Sequence, residues 1–310
     1  MKNEENKDWT KSSPYDRYGY FIASKVDRYK TLLTTIEKLG LNSLVVAIED
    51  NRHIFIFPHS KKMPRLKGGS FPFAGESPFI FVAHYDRVDG SPGANDNSIA
   101  VFHMLNLTNL LTQRALDNWL IIFTDKEELK KGESFEKQGS FALAQKLKSW
   151  GLGKAKIFNF DSCGTGDSFI LSTITDSILD KSNNPGIDTL KDSIRQLRNH
   201  ALETAHHLRL DKLLLAPIPF CDDIGFLRAG LAAQTITMLP SAEAAQYEEI
   251  LRKYPEFTKL LISGEIKTSP EIRHLPQTWR ILNTPADTPS RLTPQYFDQF
   301  LNFVIELCQR

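Results

Sequence analysis

From residue 25 onward the apolar residues fall into blocks of two kinds. Over 25–39 they recur three and four positions apart and stop at Gly40, which predicts a helix. SLVVAIED and HIFIFP alternate or run apolar around a polar joint at Asn51-Arg52, which predicts a hairpin. Four short apolar runs follow: PFIFVAHY, WLIIFTD, KIFNFD and SFILSTI. Continuous rather than alternating, they predict strands covered on both faces. Helical spacing returns over 97–113 and 139–150 and again, as a long amphipathic stretch, over 187–209. AAQTITML predicts one more strand, and LTPQYFDQFLNFVIELCQR an amphipathic closing helix entered through Thr293-Pro294. Strands alternating with helices predict an α/β fold, a three-layer α/β/α sandwich around a central mixed, mostly parallel sheet.

The punctuation sets the boundaries. Residues 1–19 are polar and charged and are expected to form a flexible N-terminal arm. Residues 20–310 are expected to form a single domain, with a loop rich in Lys, Pro and Gly over 58–77 and an insertion or cap over 241–275. With 41% hydrophobic and 24% charged residues among 310, one large core under a charged surface is attainable. A formal net charge of +1 gives no basis for a nucleic acid or an acidic membrane as partner. No apolar leader opens the sequence, and no run is long enough to span a bilayer. Cys163, Cys221 and Cys308 are few, odd in number and scattered; they form neither a disulfide framework nor a thiolate zinc site, and a cytoplasmic location fits them best.

Three predicted strands end in metal-capable side chains. FIFVA runs into His84-Tyr85-Asp86, WLIIFTD into Glu127-Glu128, and KIFNF into Asp161; between the first two, GANDNS places Asp96 just ahead of a helix. Taken singly, each is an ordinary cap, turn former or surface residue. Together they gather an imidazole and several carboxylates at the carboxyl edge of one sheet, where ligands of such sheets bind. Zinc accepts imidazole nitrogen and carboxylate oxygen, and like charges this close would repel without a cation.

The segments AHYDRVDGSPGANDNSIAV, FTDKEELKKGESFEKQGS and IFNFDSCG resemble the co-catalytic di-zinc aminopeptidases, the group that also contains the glutaminyl cyclases. Weaker likeness follows in CDDIGFLRAGLAAQTITML and LNTPADTPSRLTPQYFDQFLNFVIEL. The resemblance implies a zinc-exopeptidase fold and one or two zinc ions per chain. By it, His84, Asp96, Glu128 and Asp161 are metal ligands, with Asp96 bridging two metals and the Asp96–Asn97 peptide cis. Asp86 orients the His84 imidazole. Glu127 is the general base that activates water to remove N-terminal residues from a peptide or aminoacyl substrate. Asp222, Asp223 and Phe226 fall where substrate contacts are expected.

Two positions depart from the family pattern. The final ligand, a histidine in the family, is Asn283 here, in the stretch Asn283-Thr284-Pro285-Ala286-Asp287-Thr288; a Ser-Asp-His becomes Cys221-Asp222-Asp223. An amide oxygen is a poorer zinc donor than imidazole. Either Asn283, Asp222, Asp223 or His274 supplies the missing donor, or the second metal is weakly held or harder, or the fold is kept for binding without catalysis. Glutaminyl-cyclase-like aminoacyl transfer is a further alternative, disfavoured because the ligands that those enzymes keep are the set interrupted here. Arg87, Arg228 and Trp279 are expected to be ordinary surface or core residues, His206-His207 to hold no metal, and Cys221 to be at most a remote candidate nucleophile.

Overall fold

The computed structural model describes residues 13–23, 25–62, 71–130, 132–180, 186–219 and 221–310. Eight strands form one sheet: β1 (Ser43–Ile48), β2 (Asn51–Ile56), β3 (Phe79–His84), β4 (Trp119–Thr124), β5 (Lys156–Phe160), β6 (Ser168–Ser172), β7 (Leu213–Ala216) and β8 (Ala233–Leu239). Their order across the sheet is β1-β2-β4-β3-β5-β8-β6-β7. The central strands β4, β3, β5 and β8 run parallel, and antiparallel pairs flank them at β1–β2, β2–β4 and β8–β6. Helices are α1 (Tyr18–Phe21), α2 (Arg28–Lys38), α3 (Ile99–Gln113), α4 (Gly139–Ser149), α5 (Ile174–Leu179), α6 (Ile187–His207), α7 (Asp222–Arg228), α8 (Ser241–Lys253), α9 (Phe257–Ser263), α10 (Gln277–Arg280) and α11 (Phe297–Gln309). No helix among the described residues is long and apolar enough to cross a membrane.

The continuous apolar runs are explained by two cores, one on each face. Phe79, Phe81 and Ala83 of β3 join one cluster with Ile121, Phe158, α3 and α11. Their neighbours Ile80 and Val82 join another with Leu120, Ile122, Ile157 and α4. Because successive side chains of a strand point to opposite faces, a strand covered on both sides has no polar positions to spare. A third cluster lies under α5, α8 and α9, where Tyr247, Phe257 and Trp279 pack together. The 241–275 segment thus contributes its own core residues beside β6 and β7.

Three readings need correction. The hairpin turn is Glu49-Asp50, with Ile48 facing Asn51; Asn51 and Arg52 already belong to β2. Glu49 takes the positive φ (52°) that a tight turn demands, so the turn fell on charged residues rather than on the Asn. Strand β7 lies in a segment to which no element was assigned, its four residues being too few to show a period. The expected arm is packed from Ser13 onward, and residues 1–12 lie outside the described residues. The Tyr15 hydroxyl sits 2.5 Å from His103 Nδ1, and the Tyr18 hydroxyl donates to the Ala94 carbonyl at 2.7 Å. Of the loop over 58–77, residues 63–70 likewise lie outside the described residues.

Strand β3 sits between β4 and β5, so the chain crosses to one side after β3 and returns to the other after β4. Such a reversal opens a crevice at the strands' carboxyl ends. His84 is the last residue of β3.

Candidate metal centre

Each candidate side chain is delivered to this crevice by a different element. His84 ends β3, Glu127 and Glu128 follow β4, and Asp161 follows β5. Asp96 comes from the kinked segment Ala94–Ser98 ahead of α3, where the Asp96–Asn97 peptide is cis. The segment is tied down from both sides. Asp287 accepts the amides of Asn95 and Asp96 on its two oxygens (2.8 and 3.0 Å), and Asn97 donates to the Phe160 carbonyl and accepts from the Ser162 amide. Gly93 precedes it at φ 60°, where a Cβ would stand 2.6 Å from the Asp96 carbonyl oxygen. Only glycine fits that combination of conformation and contact.

Arg28, the first residue of α2, is buried beneath this loop. Its guanidinium donates to the carbonyls of Tyr85, Asp86 and Gly93 and to the Ser98 hydroxyl, joining the end of β3 to the Asp96 segment. Burial lowers its pKa to about 10, which leaves it cationic.

His84 Nε2 lies 3.1 Å from Asp96 Oδ1 and 3.8 Å from Asp161 Oδ2, while Nδ1 lies 3.4 Å from Asp86 Oδ1. Donor atoms of His84, Asp96 and Asp161 fall within 4.8 Å of one another, and all three residues are buried. Neither imidazole nitrogen has an aligned hydrogen-bond partner. Zinc–donor bonds of about 2.0–2.1 Å at tetrahedral angles place donors roughly 3.3 Å apart, so this spacing and the unpartnered Nε2 fit a divalent cation.

Asp86 links that cluster to the glutamate pair. Its Oδ1 accepts the Glu127 amide at 3.1 Å and its Oδ2 the Glu128 amide at 3.0 Å. Burial pushes its pKa up, but His84 and these amides outweigh burial and hold it below the usual carboxylate range. For His84 burial opposes the charge, yet Asp86 and Asp96 raise its pKa well above normal. Glu127 is raised well above its ordinary value, first by burial and then by Glu128, Asp161 and Asp222 despite the opposing pull of His84. Burial and Asp96 push Glu128 up to about 9, and burial and Asp96 also raise Asp161.

Two supporting residues of the site escaped the sequence reading. Gln138 Nε2 donates to Glu127 Oε1 at 3.1 Å, and Asp287 anchors the Asp96 segment as described. Asp287 lies in the same six-residue stretch as Asn283 and was legible there; Gln138 is eleven positions from its partner and was not. Gly139 lets α4 begin against this loop, since a Cβ there would stand 1.9 Å from the Asp125 carbonyl oxygen.

The remaining candidates separate cleanly. Asn283 reaches the site, donating from Nδ2 to Glu128 Oε2 at 3.1 Å. Asp222 and Asp223 are buried at the start of α7; Asp222 accepts from the Thr124 hydroxyl at 2.6 Å. Burial raises them to about 6 and about 7. Phe226, expected to contact substrate, instead fills the core cluster under α4. His274 lies tilted beside the Tyr254 ring and is not among the converging donors. Arg87 is engaged by the carbonyls of Ile22, Ala23 and Pro92, Arg228 is exposed, and Trp279 packs on Tyr247. His207 pairs with Glu306 at 3.5 Å on α11. Burial and the carboxylates of Asp161 and Asp223 drive the Cys221 thiol far above its normal pKa, the reverse of what a thiolate nucleophile needs.

Residues 65–307 match the family model described as peptidase family M28. The chain belongs to peptidase family M28. Solved structures share the fold. A leucine aminopeptidase precursor from Bacteroides thetaiotaomicron superposes with a TM-score of 0.58 at 15% identity, covering 96% of this chain and 95% of that one. The glutaminyl cyclase of the same organism gives 0.57 at 16%, covering 96% of each chain. The zinc aminopeptidase of Bacillus subtilis gives 0.51 at 19%, covering 83% of this chain and 49% of that one, so this M28 chain matches about half the length of that enzyme. At such identities the likeness establishes the fold, which an aminopeptidase and a cyclase have in common. No curated protein matches the chain in sequence.

Proposed function

We propose that this M28 chain is a zinc-dependent exopeptidase that hydrolyses the N-terminal residue from peptides or aminoacyl amides, with Glu127 as general base. One observation carries the reading: a single carboxylate, Asp86, meets both the imidazole of the metal-donor cluster and the backbone of the Glu127-Glu128 pair. The base and the donors are therefore held in one frame.

His84 Nε2, Asp96 and Asp161 are the residues that would hold the cation. Bound there, a divalent ion supplies Lewis acidity toward the scissile carbonyl and makes water easier to deprotonate. The chain's own groups do the rest. Asp86, whose Oδ1 lies 3.4 Å from Nδ1, would favour a proton on that nitrogen and so leave the Nε2 lone pair of His84 free for coordination. Glu127 takes the proton of the attacking water and delivers it to the departing amine. Gln138 keeps the carboxylate aimed while it does so.

The test is turnover of a panel of aminoacyl amides by zinc-loaded protein, beside Glu127→Gln. The expected outcome is hydrolysis that falls by about 10²–10⁴-fold in Glu127→Gln at unchanged zinc content. Turnover no higher than that of Glu127→Gln, or pyroglutamate formed from N-terminal glutamine peptides in place of hydrolysis, overturns the proposal.

A further inference from the structure

Asp96 has carboxylate neighbours on two sides. On one, His84 and Asp161 complete a cluster of three converging donors. On the other stands the half-buried Glu128, a second carboxylate whose charge repels that of Asp96. A second cation between these two carboxylates would relieve that repulsion, and it would need at least one more donor to hold it.

The side chain that meets Glu128 is Asn283, which turns its amide nitrogen to that carboxylate while its Oδ1 stays buried without a hydrogen-bond partner. Its Nδ2 faces Glu128 Oε2 at 3.1 Å. Toward an ionised Glu128 the amide must show N–H groups, because such a carboxylate only accepts. Turning the amide over would set Oδ1 against that oxygen, acceptor against acceptor. The amide thus supplies to Glu128 the partial positive charge that a cation would otherwise bring. Among the described residues no other set of three His, Cys, Asp or Glu donors converges.

We infer that this chain holds a single divalent cation, in the His84–Asp96–Asp161 cluster, and that Asn283 closes a second seat by engaging Glu128. The inference rests on the metal-dependent reading above and narrows it. It also assigns Glu128 a new role: the residue following the general base is bound to Asn283 rather than to metal. The backbone at Asn283 has φ 62°, a conformation that asparagine and histidine both adopt more readily than most residues. Replacing one by the other is therefore compatible with the fold.

The experiment is zinc stoichiometry by elemental analysis and equilibrium dialysis on the full chain, stripped with chelator and reloaded, with folding checked by circular dichroism. The unaltered protein is expected to bind one equivalent. Glu128→Gln is expected to keep it, Asp161→Asn to lose it, and Asn283→His to rise to two. Two equivalents in the unaltered protein overturn the single-seat inference and leave the metal-dependent reading standing. So does one equivalent that is lost in Glu128→Gln but kept in Asp161→Asn. An Asn283→His protein that folds and stays at one equivalent overturns the role given to Asn283. No zinc in any folded preparation overturns the metal-dependent reading itself.

Discussion

The Asp86 carboxylate accepts the backbone amide of Glu127 at 3.1 Å. Its other oxygen takes the next amide, and its first also faces the His84 imidazole. Asp86→Asn cannot accept at both oxygens, and it presents N–H groups to an amide or to the imidazole. Loss of such an orienting carboxylate typically weakens metal binding about 10–100-fold. A zinc titration of Asp86→Asn is expected to show a loss of that size together with a fall in kcat, because base and donors shift together. An unchanged zinc affinity would show that His84 is oriented by something else.

Gln138 donates to the Glu127 carboxylate and so favours its ionised form. In Gln138→Met that preference disappears and the proton affinity of Glu127 rises. The acid limb of the pH–rate profile is then expected to move toward higher pH, with zinc content unaltered. A profile that drops uniformly at all pH values without moving would mean that Gln138 serves packing alone.

Asp287 holds two consecutive amides of the Asp96 segment. Asp287→Asn can satisfy one and leaves the other buried without a partner, a loss of about 1–3 kcal/mol. Urea denaturation of the metal-stripped protein is expected to show it as a lower midpoint at unchanged slope.

The metal-stripped protein is expected to weaken as the solution becomes less acidic. Burial raises Asp222 to about 6 and Asp223 to about 7, from an ordinary 3.8. A carboxyl raised on folding contributes stability that is complete below its unfolded pKa and is lost as pH rises through its folded one. Tm should therefore fall between roughly pH 4 and pH 7, and Asp223→Asn should flatten the upper part of the fall. A Tm that climbs through this window would reverse the assignment.

Much of this was readable in advance, for identifiable reasons. Strands covered on both faces leave long apolar signatures, so β3, β4, β5 and β8 were visible together with the residues at their ends. His84 and Asp161 are far apart in sequence yet meet in space because they stand where neighbouring strands stop, and the segment ahead of α3 brings Asp96 to them. What stayed hidden was contact between partners with no local pattern. The lock of Tyr15 on His103 spans 88 positions, that of Tyr18 on Ala94 spans 76, and that of Arg28 on Gly93 spans 65. Asn283 could be seen as a changed ligand, but which end of its amide faces Glu128 depends on the carboxylate beside it.

Arg28 and the strands β1 and β2 lie before residue 65, where the match to the M28 family begins. An excised 65–307 fragment would keep every metal donor and lose the guanidinium that fastens the Asp96 loop to the end of β3. It would also bare β4, whose Trp119–Thr124 is buried throughout and pairs with β2 on that side. An uncovered apolar edge of that kind recruits other chains. The segment that carries the family's signature is therefore expected not to fold alone but to depend on the helix and hairpin that precede it.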